Sequence, residues 1–200
     1  AFRDQYRVVS CDLRGHGDSD KAGVYTMAHY LADLHALFFQ LEMEKPVLVG
    51  HSLGSQIVCQ YGGVFPEVPR AIVSIDGLGP PVKEVVLDLE DKQWRTQEGL
   101  LALLRGAEHG RPMMGIDDAT ALFMRFHPRL DPEWARQLVE IGCDEHPQGG
   151  LKWKWDPLVT TVGLFSTPEL AEERFGWIQC PVLLTTAGEV DEFWVRRTGL

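Results

Sequence analysis

The sequence predicts an α/β protein: a doubly wound, mostly parallel sheet interrupted by an inserted helical cap. Three observations predict it. Short apolar runs at 6–13, 46–50, 71–75 and 180–188 alternate with helical patterns, and strands joined through helices return by right-handed crossovers. The run "PVLVG" is wholly apolar and does not alternate, as expected of a strand covered on both faces. Between 80 and 176 the patterns are helical and no convincing strand is visible.

Taken in order, "YRVVSCDL" (6–13) reads as a buried strand running into the glycine-rich turn "RGHGDSD". A helix follows, with Thr26 as its cap and Met27, Tyr30, Leu31, Leu34, Phe38 and Leu41 at the i, i+3, i+4, i+7 spacing of one face. "PVLVG" (46–50) is a strand, a helix runs from about Leu53 to Val64, and "AIVSI" (71–75) is the next strand.

In the insertion, "QEGLLALL" is a helix candidate, and "DDATALFMRF" places Ala119, Leu122, Phe123 and Phe126 on one face. "DPEWARQLVEIG" offers Asp131 as N-cap and Pro132 at the first helical position, with Trp134, Leu138 and Ile141 in phase. "STPELAEERFG" repeats the cap-then-proline start at Thr167–Pro168 and stops at Gly176. "CPVLLTTAG" (180–188) returns to strand, with proline at its start. The expected organisation is a first sheet segment over 1–79, a helical cap over 80–176, and the sheet continued over 177–200.

Two hundred residues, 44% hydrophobic and 24% charged, describe a globular chain able to bury a core. The net charge of −10 and a pI near 5.1 argue against a nucleic-acid surface. No apolar run approaches the ~20 residues of a membrane span. Cys11, Cys59, Cys143 and Cys180 lie far apart without a C-x-x-C pair, which supports neither zinc nor disulfides and makes a reduced, cytoplasmic setting the default. Cys11 and Cys59 fall in apolar stretches and read as small buried hydrophobes. His16 and Asp18 have no metal-site spacing, so neither metal nor organic cofactor is expected.

The chemistry concentrates at "VLVGHSLGS". Gly50-His51-Ser52-Leu53-Gly54 is a G-x-S-x-G sequence with a strand before it and a helix after it, the setting of a nucleophile elbow. Such a turn exposes a serine hydroxyl at the carboxyl edge of a parallel sheet and aims the first free helix N–H groups at the same point, where an oxyanion would form. The competing reading is an ordinary tight turn with a helix-capping serine.

"DLRGHGDSD" and, about thirty residues on, "VLVGHSLGS" resemble the α/β-hydrolase fold family, in its capped branch of esterases, lipases, C–C hydrolases and cofactor-free haloperoxidases. The family's D-x-R-G-x-G-x-S pattern falls on Asp12, Arg14, Gly15, Gly17 and Ser19, and its late G-x-x-D on Gly188 and Asp191. The resemblance implies Ser52 as nucleophile, the Leu53 N–H as an oxyanion donor, and a triad acid at Asp191 or at Asp76, which ends the strand after the nucleophile helix. It also implies a histidine after Asp191, but "EFWVRRTGL" contains none, and the second oxyanion donor would precede Ala1. The expectation is a chain incomplete at both termini, with its base beyond residue 200.

His29 and His35 read as helix-surface residues, His51 as a local hydrogen-bonding neighbour of the serine, and His146 as a cap-loop residue. Trp94, Trp153, Trp155, Trp177, Phe123 and Phe126 read mainly as cap core. The implied partner is a small or medium apolar ester-like substrate, with ester hydrolysis ahead of C–C hydrolysis and perhydrolysis. Serine at position 52 argues against epoxide-hydrolase and dehalogenase chemistry, which need aspartate there. The rival class is a catalytically inactive ligand-binding protein on the same fold. The oligomeric state is not legible.

Overall fold

The computed structural model describes residues 2, 4–77, 89–106, 112–163 and 168–185. Helix α1 (Met27–Gln40) begins where Thr26, in extended conformation, accepts the His29 N–H on its side chain. Strand β1 (Val47–His51) leads into α2 (Leu53–Val64) and then β2 (Ala71–Ile75). After them come α3 (Leu89–Arg105), α4 (Ile116–Phe126), α5 (Pro132–Gly142), β3 (Cys143–Glu145), β4 (Leu151–Trp153), a 3₁₀ segment (Pro157–Gly163), α6 (Pro168–Gly176) and β5 (Val182–Thr185). The described residues divide into two compact units, one drawn from 26–100 and 161–200, the other from 1–25 and 101–160.

The first unit carries the sheet. β2 is central and pairs in parallel with both neighbours, giving the order β1-β2-β5, with His51 opposite Ile75 and Ile75 opposite Thr185. Helix α2 packs on β1 and β2, and α1 and α6 pack on α2. Leu48 and Ile72 are buried from the strands, and Ile57, Val58, Cys59 and Tyr61 from α2, while Tyr30 and Phe38 are the buried aromatics of α1. The apolar strands anticipate cover on both faces. In β1, however, burial alternates, and Val49 is 63% exposed on the face away from Leu48.

The second unit has its own core of Met113, Ala119, Val139 and Cys143, with Ile116, Phe123, Leu151 and Trp153 packed against it. Asp131 caps α5 as expected, accepting the Glu133 and Trp134 N–H groups, and Pro132 is the first helical residue. The inward face differs from the expected one. Ala135 and Val139 are buried, whereas Trp134 is 63% and Ile141 71% exposed. On α4, Ala119 and Phe123 pack inward and Phe126 points away. Helices α4 and α5 pack on each other, with Ala119, Ala135 and Val139 fully buried and Phe123 partly buried against them. Trp94 and Trp177 are likewise exposed, leaving Phe123 and Trp153 as the aromatic members of this core.

Three expectations are corrected. Residues 6–13 form no strand: Val8 is 61% exposed, Cys11 is exposed rather than buried, and no described strand supplies a ladder partner. The insertion is not purely helical, because β3 and β4 form an antiparallel hairpin with Cys143 opposite Trp153. Its strands are too short for a period-2 pattern to register, and its turn depends on Gly149 and Gly150 in the left-handed region. Thr167, the expected cap of α6, lies outside the described residues, although α6 spans Pro168–Gly176 as anticipated.

The "RGHGDSD" loop is held by side chains of its own unit. The Asp12 carboxylate accepts the Asp18 N–H at 2.9 Å, and the Ser19 hydroxyl donates to the Asp12 carbonyl at 2.7 Å. Asp156, a buried carboxylate that the sequence did not single out, accepts the Tyr25 hydroxyl at 2.6 Å, and its N–H donates to the Gly15 carbonyl at 2.7 Å. No described helix is long and apolar enough to cross a membrane.

Candidate active site

Gly50 and His51 end β1, Ser52 is the turn residue, and Leu53 and Gly54 open α2. Ser52 has φ 51° and ψ −114°, a conformation that a residue with a Cβ adopts at a cost and that clusters at functional sites. Its side chain makes no cap hydrogen bond, which removes the helix-capping reading. Its N–H donates to the Ile75 carbonyl at 3.0 Å, and its carbonyl accepts the Gln56 N–H. The backbone at Ser52 is thus tied to strand and helix, while the side chain is exposed.

Gly50 is required by the close return of the chain. A Cβ there would lie 2.3 Å from the Gly54 carbonyl and 2.6 Å from the Ser55 nitrogen. Gly54 itself meets nothing within 4 Å, so crowding demands glycine on only one side of the serine. No acidic side chain lies in the first turn of α2, so the positive end of the helix is left unneutralised by its own residues at the serine.

Asp76 follows β2, one residue beyond Ile75, at φ 47°. Its N–H donates to the Thr185 carbonyl at 2.7 Å, which ties it to the end of β5. Since His51 is level with Ile75, Ser52 and Asp76 leave adjacent strands at matching positions of the same sheet edge. Both belong to the few described non-glycine residues with positive φ. Asp191 and Gly188 lie outside the described residues, as does His109.

The other histidines have local partners. His16 Nδ1 contacts the Arg14 carbonyl at 3.1 Å, His29 Nδ1 the Thr26 hydroxyl at 2.9 Å, and His35 Nδ1 the Tyr61 hydroxyl at 3.0 Å. His127 packs tilted against Phe123 with ring centroids 4.4 Å apart, and His146 accepts the Gln148 N–H inside the hairpin turn.

Beneath the turn lies a supporting set that sequence reasoning missed. The buried hydroxyls of Ser55 and Ser74 hydrogen-bond to each other, joining α2 to β2, and the Gln56 amide donates to the Gly77 carbonyl. A Cβ on Gly77 would lie 2.5 Å from the Ser52 carbonyl and 2.2 Å from Ser55 Cβ. One turn deeper, burial pushes the Cys59 thiol pKa up, partly offset by hydrogen bonding with Ser74 and Ser55. The only hint in the sequence is the polar pair Ser55-Gln56, which looks like any solvated first turn.

The comparisons with known proteins agree with this geometry. The family model described as "alpha/beta hydrolase fold" matches residues 1–107, just over half of the chain. A 2-(acetamidomethylene)succinate hydrolase of Mesorhizobium japonicum is 34% identical over 86 residues, 42% of this chain and 31% of the relative. Epoxide hydrolase 4 of Mus musculus is 33% identical over 84 residues, 40% of this chain and 23% of the relative. The solved structure of E-2-(acetamidomethylene)succinate hydrolase superposes with a TM-score of 0.65 at 24% identity, covering 94% of this chain and 66% of that one. The matches therefore span less than a third of those two relatives and about two thirds of the solved structure. A strand–serine–helix elbow on a parallel sheet, together with the family match over more than half its length, establishes that the chain belongs to the α/β-hydrolase fold family.

Proposed function

We propose that this chain carries the nucleophile of a serine hydrolase acting on a small or medium apolar carboxylic ester through an acyl-enzyme. The observation that carries the reading is Ser52 held at φ 51° between β1 and α2 with its side chain unused as a cap. In the proposed reaction Ser52 Oγ attacks the acyl carbonyl and its proton passes to a histidine. The Leu53 N–H, at the free positive end of α2, stabilises the oxyanion. The histidine returns the proton to the departing alcohol, and water then releases the acid. A carboxylate orients the histidine. Asp191 is favoured by its match to the family's G-x-x-D, and Asp76 by its place at the same sheet edge as Ser52.

The relative named as a succinate-derivative hydrolase supports hydrolysis as the reaction class. The relative named as an epoxide hydrolase does not shift the reading, because epoxide opening on this fold uses aspartate at the position of Ser52. Turnover of p-nitrophenyl acetate and butyrate by a form of the protein that carries the triad histidine tests the proposal. Ser52→Ala should lower kcat by at least about 10³-fold with the fold retained. An alanine variant as active as its parent would overturn it. Asp76→Asn and Asp191→Asn compared in the same assay identify the acid, as the larger loss in kcat.

A further inference from the structure

Gln56, the fourth residue of α2, bonds to both turns of the candidate site. Its main-chain N–H donates to the Ser52 carbonyl at 3.2 Å. Its side-chain amide donates to the carbonyl of Gly77, the residue directly after Asp76. The two turns also touch, since a Cβ on Gly77 would lie 2.5 Å from the Ser52 carbonyl oxygen and in contact with Ser55 Cβ.

The Asp76 turn needs such a tether. The described ladder between β2 and β5 ends at Ile75 and Thr185, and Asp76 then turns at φ 47°, a conformation that costs a residue with a Cβ. On one side the Asp76 N–H is held by the Thr185 carbonyl at 2.7 Å. On the other, past the last ladder pair, the Gln56 amide takes the Gly77 carbonyl. The segment that carries the Asp76 side chain is therefore pinned from β5 and from α2 at once. Position 56 is only half-buried on the first turn of a helix, so packing alone would accept many side chains there. A carbonyl partner at that reach selects a long side chain with a neutral donor. Methionine has the length without the donor, and an ionised glutamate only accepts.

We infer that Gln56 is a positioning residue for the proposed hydrolysis, holding the Asp76 carboxylate in register with Ser52 so that Asp76 orients the histidine. This role rests on Ser52 being the nucleophile, and it adds that Asp76 is the acid through which Gln56 acts. Gln56 itself touches no reacting atom and moves no proton. Its main chain fixes the nucleophile turn and its side chain fixes the acid turn, so one residue sets the spacing between them.

Gln56→Met and Gln56→Glu keep the side-chain length and remove the donor, and both are assayed with p-nitrophenyl butyrate in a form of the protein that carries the triad histidine. Expected in each is a fall in kcat of about tenfold or more with KM within about twofold, because a displaced acid weakens the transition state and not substrate binding. In an Asp76→Asn background the same substitutions should cost nothing further in kcat. The acidic limb of the kcat/KM profile should move to lower pH in Gln56→Met, as in Asp76→Asn, because a carboxylate beside an imidazole raises its pKa and a displaced one raises it less. A residue that only stabilised the fold would leave that limb in place, and urea unfolding of each variant shows how much of the protein is folded in the assay. An unchanged kcat in both Gln56 variants, an equal further loss in the Asp76→Asn background, or an unmoved acidic limb would overturn the role of Gln56 and leave Ser52 as nucleophile. Turnover undiminished by Ser52→Ala would overturn the proposed hydrolase and this role together.

Discussion

The Ser52 N–H donates to the carbonyl of Ile75 at 3.0 Å, so the β1–β2 ladder continues one residue past the last strand position of β1. The turn at Ser52 is consequently an extension of the sheet and not a loose connection. The positive φ of Ser52 is imposed by two fixed elements, β2 on one side and α2 on the other. Reinforcing or breaking that fixation should change activity and stability together.

Gly50→Ala tests the crowded side. The new methyl would stand 2.3 Å from the Gly54 carbonyl, and backbone cannot swing aside as a side chain would. Expected is a loss of about 1–3 kcal/mol in urea unfolding together with loss of any Ser52-dependent turnover. Gly54→Ala, where nothing lies within 4 Å, should leave stability within about 0.5 kcal/mol.

Ser55 and Ser74 act as one unit, since each buried hydroxyl has the other as partner. Ser74→Ala leaves the buried Ser55 hydroxyl with only the weak Cys59 thiol as partner and should cost about 1–3 kcal/mol. The double variant Ser55→Ala with Ser74→Ala should cost less than the sum of the singles, because removing both partners leaves neither unsatisfied. Strict additivity in the double-mutant cycle would contradict the pairing.

The phenols of Tyr25 and Tyr61 should set the alkaline limit of stability. Burial pushes both pKa values up to about 12, assisted at Tyr25 by the hydrogen bond to Asp156 and at Tyr61 by the charge of Glu67. In the unfolded chain a phenol titrates near 10, so between about pH 10 and 12 the folded state holds more protons. Stability is fully present below about pH 10 and falls as pH rises towards 12. Denaturation midpoints across that window should show a slope that Tyr25→Phe or Tyr61→Phe each reduces. Tyr25→Phe should also destabilise at neutral pH, by about 1–3 kcal/mol, because the buried Asp156 carboxylate loses the donor on Oδ2 and keeps only the Leu158 N–H on Oδ1.

The cysteines should separate in reactivity. Cys11 is exposed, whereas Cys59 and Cys143 are buried and burial raises both thiol pKa values. Titration with an aromatic disulfide reagent at pH 8 should modify Cys11 first, with Cys59 reacting only on unfolding. Early modification of Cys59 would mean that the Ser55–Ser74 layer above it opens readily.

Elements driven by short-range physics were legible in the sequence. Thr26 and Asp131 are caps because their short side chains reach orphan N–H groups of the turn they precede. "PVLVG", "AIVSI" and "CPVLL" mark β1, β2 and β5 to within a residue or two because short apolar runs suit a parallel sheet. The G-x-S-x-G motif located the elbow, since Gly50 leaves room that no other residue would.

What only the tertiary structure decided depends on partners distant in the chain. "YRVVSCDL" has the composition of a strand, but a strand exists through its ladder, and no described residue completes one. The inward face of α5 is Ala135–Val139 and not Trp134–Ile141, because the side of the helix that meets α4 is set by where α4 lies, whereas periodicity ranks only hydrophobicity. Asp156, Ser74 and Gly77 take their roles from groups 131, 19 and more than twenty residues away in sequence. Hydrogen bonds of that span leave no trace in local pattern, which is why the turn at Ser52 was legible in the sequence and the framework that holds it was not.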